Sequence, residues 1–329
     1  MRRALLIAVA ACGPRAAANI DAPIGGYDYP DATCGGQHLD LTYIAPDLLF
    51  VLDRSCSMKH VLDGTTTTKW EAAVDAINHV VGEYAAAVRW GLTLFPDTTG
   101  DACAQDAIPI PIGANQAGAV TSLLTNALQT TDPLYPSGPC MTNIDTGLQQ
   151  GATDPGLADT TRPNFLMLVT DGAQSKGCSL GGGDDGAVAT VKDLHDNHGV
   201  STFVVGFGSE VDDTELGKLA TAGGKALAGN TPYYKADTAD ALDKALKDIA
   251  SQVASCSYKV DPAPPDLGLT YVVFDGTTLV PRDTTHVSGW DFDTTNQVMT
   301  FYGSYCDEVA HFDVQSVDVT YGCTSPPIL

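Results

Sequence analysis

Residues 47–58 read DLLFVLDRSCSM, and the change of character inside this stretch decides the fold. The side chains from Leu48 to Leu52 are all apolar. A short unbroken apolar run is the signature of a strand buried on both faces, and such strands belong to parallel sheets covered by helices. Directly after it, oxygen-bearing side chains stand at alternate positions: Asp53, Ser55 and Ser57. In an open α/β sheet the loops diverge at the carboxyl ends of the strands, and ligands bind there. Donors at i, i+2 and i+4 of such a loop can converge on one point. Hard oxygen donors suit Mg²⁺ or Mn²⁺, not zinc or copper.

Outward from this stretch the chain alternates between strand and helix. Trp70, Val74, Ile77, Val81 and Tyr84 recur at helical spacing and predict an amphipathic helix. WGLTLF (90–95), FLMLVT (165–170) and TFVVGF (202–207) predict further core strands, while the prolines of AIPIPI (107–112) suit an edge strand. Helices are predicted around Val120–Leu128, Ala187–His198 and Leu242–Val253. This order predicts a doubly wound, mostly parallel α/β sheet over residues 46–255. After Cys256 come prolines and short β-like pieces at 270–274, 297–302 and 314–321. Residues 256–329 are therefore expected to form a small all-β module, braced by Cys306 and Cys323 with Cys256 as a further candidate. Residues 13–45, rich in Ala, Gly, Pro and Asp, show no sustained period and read as a flexible tether.

The D-x-S-x-S motif at Asp53, Ser55 and Ser57 resembles the first metal loop of the von Willebrand factor type A (VWA) domain family. Two further motifs fall in the right order. Thr142, in CMTNIDTGL (140–148), resembles the family's second loop, commonly G-T-N-I followed by a Gly-Leu helix start. Asp171, in Thr170-Asp171-Gly172 after FLMLVT, resembles the third. The resemblance covers roughly residues 46–255. It implies a Rossmann-like VWA fold and a Mg²⁺ (or Mn²⁺) site made by Asp53, Ser55, Ser57, Thr142 and Asp171. Ser55, Ser57 and Thr142 would supply hydroxyl oxygens, and Asp53 and Asp171 would act mainly through bound water. Neutral hydroxyls leave the cation electrophilic, so a protein partner's carboxylate is expected to complete the site. Cys56 departs from the glycine that the family often has there. A soft thiol is a poor Mg²⁺ ligand, so a disulfide is expected instead. Cys103, Cys140 and Cys178 fall on loops of the same face. The pairing expected is Cys103–Cys140 with Cys56–Cys178, one of the three that four cysteines allow.

The net charge of −23, from 40 acidic against 17 basic residues, repels phosphate backbones and disfavours nucleic acid as a partner. At the N-terminus Arg2 and Arg3 precede the apolar run Ala4–Ala11, a pattern of export. Val9-Ala10-Ala11-Cys12 resembles the bacterial lipobox, so residues 1–12 are read as a signal segment and Cys12 as a lipidation site. Membrane contact is expected only through that anchor. With Cys12 so used, Cys34, Cys56, Cys103, Cys140, Cys178, Cys256, Cys306 and Cys323 remain, an even set suited to disulfides in an oxidising compartment.

Other patterns carry plainer readings. His195 and His198 have chelating spacing but sit where a helix should stop before Gly199, which favours a C-terminal cap. DFDTTN (291–296) hints at a Ca²⁺ loop, yet lacks the EF-hand glycine and glutamate and reads as a hairpin turn. GGGDDG (181–186) has no G-K-[ST] and reads as a flexible loop before an acidic helix start. Ser55 and Ser57 have no histidine in their motif, and metal ligation accounts for both. The expected function is cation-dependent adhesion at the cell envelope, without catalysis. The alternatives are a structural lipoprotein stiffened by its metal and a metal-dependent hydrolase.

Overall fold

The computed structural model describes residues 37–97, 101–310 and 313–322. The signal segment, Cys12, Cys34, Cys323 and residues 13–36 lie outside the described residues. Two short strands come first, β1 (Gln37–His38) and β2 (Asp40–Tyr43), and then β3 (Asp47–Asp53). The chain continues through α1 (Lys69–Glu83), β4 (Arg89–Phe95), β5 (Ile110–Gly113), α2 (Ala117–Asn126), α3 (Ile144–Gly151) and β6 (Asn164–Thr170). Next come α4 (Gly183–His198), β7 (Val200–Phe207), α5 (Asp213–Ala222), β8 (Tyr234–Ala236) and α6 (Ala239–Val253).

These elements form a six-stranded sheet in the order β5-β4-β3-β6-β7-β8. All neighbours are parallel except β5, which pairs antiparallel with β4 at the edge. Pro111, which has no N–H to give, is exposed on that edge strand. β3 is buried along its whole length, and its side chains alternate between two cores. Leu48, Phe50 and Leu52 pack with Trp70, Val74 and Ile77 of α1 and with Leu242, Leu246 and Ile249 of α6. Leu49 and Val51 pack with Ile144 and Leu148 of α3, Val191 of α4 and Leu216 of α5. Each such side chain contributes about 1.5–3 kcal/mol of transfer free energy. α1 starts at a capping box, where Thr68 and Glu71 satisfy each other's backbone N–H groups.

The remaining elements are β9 (Ser257–Asp261), β10 (Thr270–Phe274), β11 (Thr278–Val280), β12 (Gly289–Asp293), β13 (Val298–Tyr302), α7 (Ser304–Ala310) and β14 (Val317–Tyr321). They build two antiparallel four-stranded sheets, β1-β14-β10-β11 and β12-β13-β9-β2. Phe274 of the first sheet meets Phe301 of the second edge-on, ring centroids 5.0 Å apart. The module is thus a β structure with one short helix, α7, added to it.

Several expectations change here. Residues 37–43 belong to no tether: β1 pairs with β14 and β2 with β9, so the chain ahead of the large domain completes the C-terminal module. Leu39, Leu41 and Tyr43 do alternate with polar residues, but over too few positions to stand out as a period. Leu39 is fully buried. Among the described residues the module's bridge is Cys256–Cys306, so Cys256, the further candidate, is the partner of Cys306. β9 and β13 are antiparallel partners, which brings Cys256 just before β9 close to Cys306 just after β13. The DFDTTN segment is the β12–β13 hairpin, where the Asp293 carboxylate accepts from Thr295 N, Asn296 N and Asn296 Nδ2. α4 ends at Gly199, whose φ of 69° is left-handed, with His195 and His198 in the last turn.

Candidate metal centre

Asp53 closes β3 and Thr170 closes β6, so the central pair of strands ends side by side at the carboxyl edge of the sheet. The Thr170 hydroxyl donates to Asp53 Oδ2 at 2.7 Å, and Ser55 N–H donates to Oδ1 at 2.7 Å. A short turn of 3₁₀ helix, Cys56–Lys59, then curls the chain. That turn brings Ser55 Oγ and Ser57 Oγ to 3.0 Å of each other. Ser57 Oγ in turn donates to Asp171 Oδ1 at 2.8 Å. A chain of side-chain oxygens therefore links Ser55, Ser57 and Asp171, and Asp53 joins it through the Ser55 N–H.

Thr142 comes in from the loop before α3. Its N–H donates to Ser175 Oγ at 2.9 Å and its carbonyl accepts from Ser175 N at 2.8 Å, which ties it to the loop that follows Asp171. Its hydroxyl faces Gly172, where a Cβ would lie 3.5 Å from Thr142 Oγ1. α3 can approach the sheet closely because Gly147 lies against the Phe95 ring, at a distance that leaves no room for a Cβ. All five residues singled out in the sequence thus lie on neighbouring loops of one strand-end face.

The electrostatics favour a cation. Asp53 and Asp171 are both fully buried. Burial, followed by the nearby charge of Asp171, pushes the Asp53 carboxyl well above the usual carboxylate range, against the pull of its bonds from Thr170 and Ser55. Two buried carboxylates and a set of hydroxyls form an all-oxygen donor set, and such a set fits a hard divalent cation. Lys69 also reaches Asp171, its Nζ standing 2.8 Å from Oδ2 and 2.9 Å from Glu210 Oε2.

The loops are crosslinked, though in a different pairing from the one expected. The bridges are Cys56–Cys140 and Cys103–Cys178, not Cys103–Cys140 and Cys56–Cys178. The reason lies in Arg54, whose buried guanidinium donates to the carbonyls of Pro96 (2.8 Å), Leu134 (3.1 Å), Pro133 (3.3 Å) and Gly138 (2.6 Å). It folds the 133–138 loop over the end of β3, which delivers Cys140 to Cys56. The first disulfide therefore joins the D-x-S-x-S loop to the loop bearing Thr142. The second holds the loop after Asp171.

Several residues that shape the site escaped the sequence reading. Arg54 and Lys69 look like ordinary surface cations in the sequence, and no local pattern marks either as buried. The Asp145 carboxylate accepts from Thr146 N, Gly181 N, Gly183 N and Gln174 Nε2 at 2.8–3.0 Å. It thereby pins the GGGDDG segment, whose composition reads as a flexible loop. Glu215 of α5 accepts from Gln174 N at 3.1 Å, and burial raises its carboxyl to about 7.

Comparison with known proteins bears on this geometry. No curated protein matches the chain. Solved structures that resemble it include pilus adhesin SpaC from Lactobacillus rhamnosus GG in its open conformation, 16% identical with a TM-score of 0.48, over 84% of this chain and 38% of that one. Another is a von Willebrand factor type A protein from Catenulispora acidiphila, 13% identical with a TM-score of 0.44, over 85% and 57%. A third is proximal thread matrix protein 1 from the mussel byssus with zinc in its MIDAS motif, 13% identical with a TM-score of 0.44, over 73% and 51%. The chain spans less than two thirds of the length of each. The family model for the von Willebrand factor type A domain matches residues 47–255, more than half of the chain and the whole six-stranded sheet with its helices. The chain belongs to the von Willebrand factor type A domain family.

Proposed function

We propose that this protein is a metal-ion-dependent binding protein of the cell envelope, which holds Mg²⁺ or Mn²⁺ at Asp53, Ser55, Ser57, Thr142 and Asp171. A carboxylate side chain of a protein partner would complete the coordination. The observation that carries this reading is the gathering of two buried carboxylates and a pair of serine hydroxyls at the sheet's carboxyl edge, with Asp171 on the Ser57 hydroxyl and Asp53 on the Ser55 N–H. When bound, the metal supplies a positive centre for an acidic group. The chain's own part is to hold the hydroxyls and carboxylates in register before any ligand arrives, which lowers the ordering cost of binding. Binding rather than turnover is supported by the partners of the serines. Ser55 and Ser57 bond to each other and Ser57 to Asp171, and among the described residues no histidine hydrogen-bonds to either.

Export is supported by three disulfides among the described residues, since such bridges persist in oxidising compartments. Among the described residues no helix is long and apolar enough to cross a membrane. A lipid on Cys12 would supply the anchor. A second reading has its own support: two disulfides and Arg54 lock the site loops, as they would in a metal site that only stiffens an envelope protein.

Calorimetric titration of Mg²⁺ and Mn²⁺ into the native protein and an Asp53→Ala/Asp171→Ala double variant tests the site. Saturable binding to the native protein alone is the expected result. Binding that survives in the double variant would place the metal elsewhere. The structural reading gains if metal raises the melting temperature but carboxylate ligands change nothing.

A further inference from the structure

Lys69 is the first residue of α1, yet its side chain is only 7% exposed. It does not lie along the helix surface. It runs past Gly208, where a Cβ would stand 3.0 Å from Lys69 Cε and 3.3 Å from Nζ, and where φ is +91°. The passage exists because that position is glycine. At its end the ammonium meets Asp171 Oδ2 at 2.8 Å, on the carboxylate whose other oxygen accepts from Ser57. Its remaining carboxylate contact, Glu210 at 2.9 Å, is 55% exposed and faces an open cleft with His60, Lys235 and Asp237, so solvent screens it. Asp171 is completely buried and is not screened in this way.

The charge balance follows from these contacts. Asp53 and Asp171 bring two negative charges to the donor set, and Lys69 cancels one of them. A divalent cation there keeps about one positive charge that the buried groups do not neutralise. We propose that Lys69 is a built-in counter-cation that makes metal occupancy depend on an anionic ligand from outside. The metal alone is held weakly, and the metal with a carboxylate is held cooperatively. This rests on the metal-dependent reading above and adds to it: the protein would engage cation and acidic partner together, and would keep little metal without a partner. Lys69 is a positioning residue, acting through Asp171 and the field of the site.

The test is calorimetric titration of Mn²⁺ into the full chain, with sodium acetate or with sodium chloride at the same ionic strength. Native protein is compared with Lys69→Gln, which keeps a donor for Asp171 without the charge, and Lys69→Arg, which keeps the charge. For the native protein, acetate should tighten Mn²⁺ binding on the order of tenfold, and Lys69→Gln in chloride should gain a similar factor with little further response to acetate. Lys69→Arg should restore the acetate dependence. A folded Lys69→Gln that binds Mn²⁺ no better than native, or responds to acetate as strongly, overturns the proposal. Thermal melts monitor folding, and Lys69→Met gives the same comparison should the glutamine variant not fold. Absence of Mn²⁺ binding in every variant and both buffers would defeat the metal reading itself, a different pattern from failure of the lysine's role.

Discussion

Arg54 shows how much one side chain decides. It sits between two site residues, fully buried, and spends its donors on backbone carbonyls of a single loop and of Pro96. Burial lowers its pKa, with Asp97 and Asp53 opposing. Arg54→Met would leave those carbonyls without donors and free the 133–138 loop, at a cost of about 3–5 kcal/mol. Urea unfolding should show a correspondingly lower midpoint, and an unchanged midpoint would mean that the disulfide alone holds the loop. Asp47, at the opposite end of β3, is the residue to watch for pH. It is fully buried, its oxygens accept no hydrogen bond among the described residues, and Arg89 Nε is 3.3 Å away. Burial raises its carboxyl to about 6, more than Arg89 and Arg162 lower it. The folded state then binds the proton more tightly than the unfolded state, so stability falls as pH rises from about 4 to about 6. Asp47→Asn should remove that fall, on the order of 2–3 kcal/mol, from the pH dependence of the unfolding free energy. Parallel native and variant curves would rule out Asp47 as the source.

At the scale of elements, α3 is the part whose placement matters most. Its first turn follows Thr142, and its Gly147 touches the Phe95 ring at the end of β4. A Cβ at this position would come to 2.9 Å from the ring, so Gly147→Ala must push α3 outward or tilt the ring. Overpacking of this kind costs about 1–3 kcal/mol. Because α3 carries the Thr142 loop, the variant should also bind Mn²⁺ more weakly than the native protein. Thermal melts and metal titration on one preparation check both effects. A loss of stability with native affinity would show that the Cys56–Cys140 bridge fixes Thr142 independently of the helix.

At the scale of the whole molecule, the two ends of the described chain fold together. β1 and β2 precede the VWA domain, yet they close the two sheets formed by residues after it. A fragment of residues 256–329 lacks both strands and the buried Leu39, and should remain unfolded. Residues 37–45 joined to 256–329 by a flexible linker should recover β structure, read by circular dichroism and dispersed amide NMR signals. If the shorter fragment folds by itself, β1 and β2 are decoration. The disulfides add stability at the same scale: Cys56–Cys140 and Cys103–Cys178 close loops of 84 and 75 residues.

The sequence makes legible the α/β class, the core strands β3, β4, β6 and β7 and the helices α1, α2, α4 and α6, but not the short α5 and β8. It also determined which residues gather at the strand ends, because each of these leaves a local mark. A doubly buried strand is continuously apolar, a helix repeats every three or four residues, and a strand-end loop carries its donors within a few positions of the strand. Asp53, Ser55 and Ser57 could be read in this way, whereas Thr142 and Asp171 came from the resemblance to the family's second and third metal loops. The disulfide partners, the burial of Arg54 and Lys69, the Asp145 anchor and the return of residues 37–43 to the C-terminal sheets emerge with the packed fold alone. These depend on which loops meet across gaps of tens of residues, and the side chains involved have the same local sequence whether they face water or another loop. Spacing along a chain reports periodicity, whereas the charge balance of a buried site is set by what the fold brings to it.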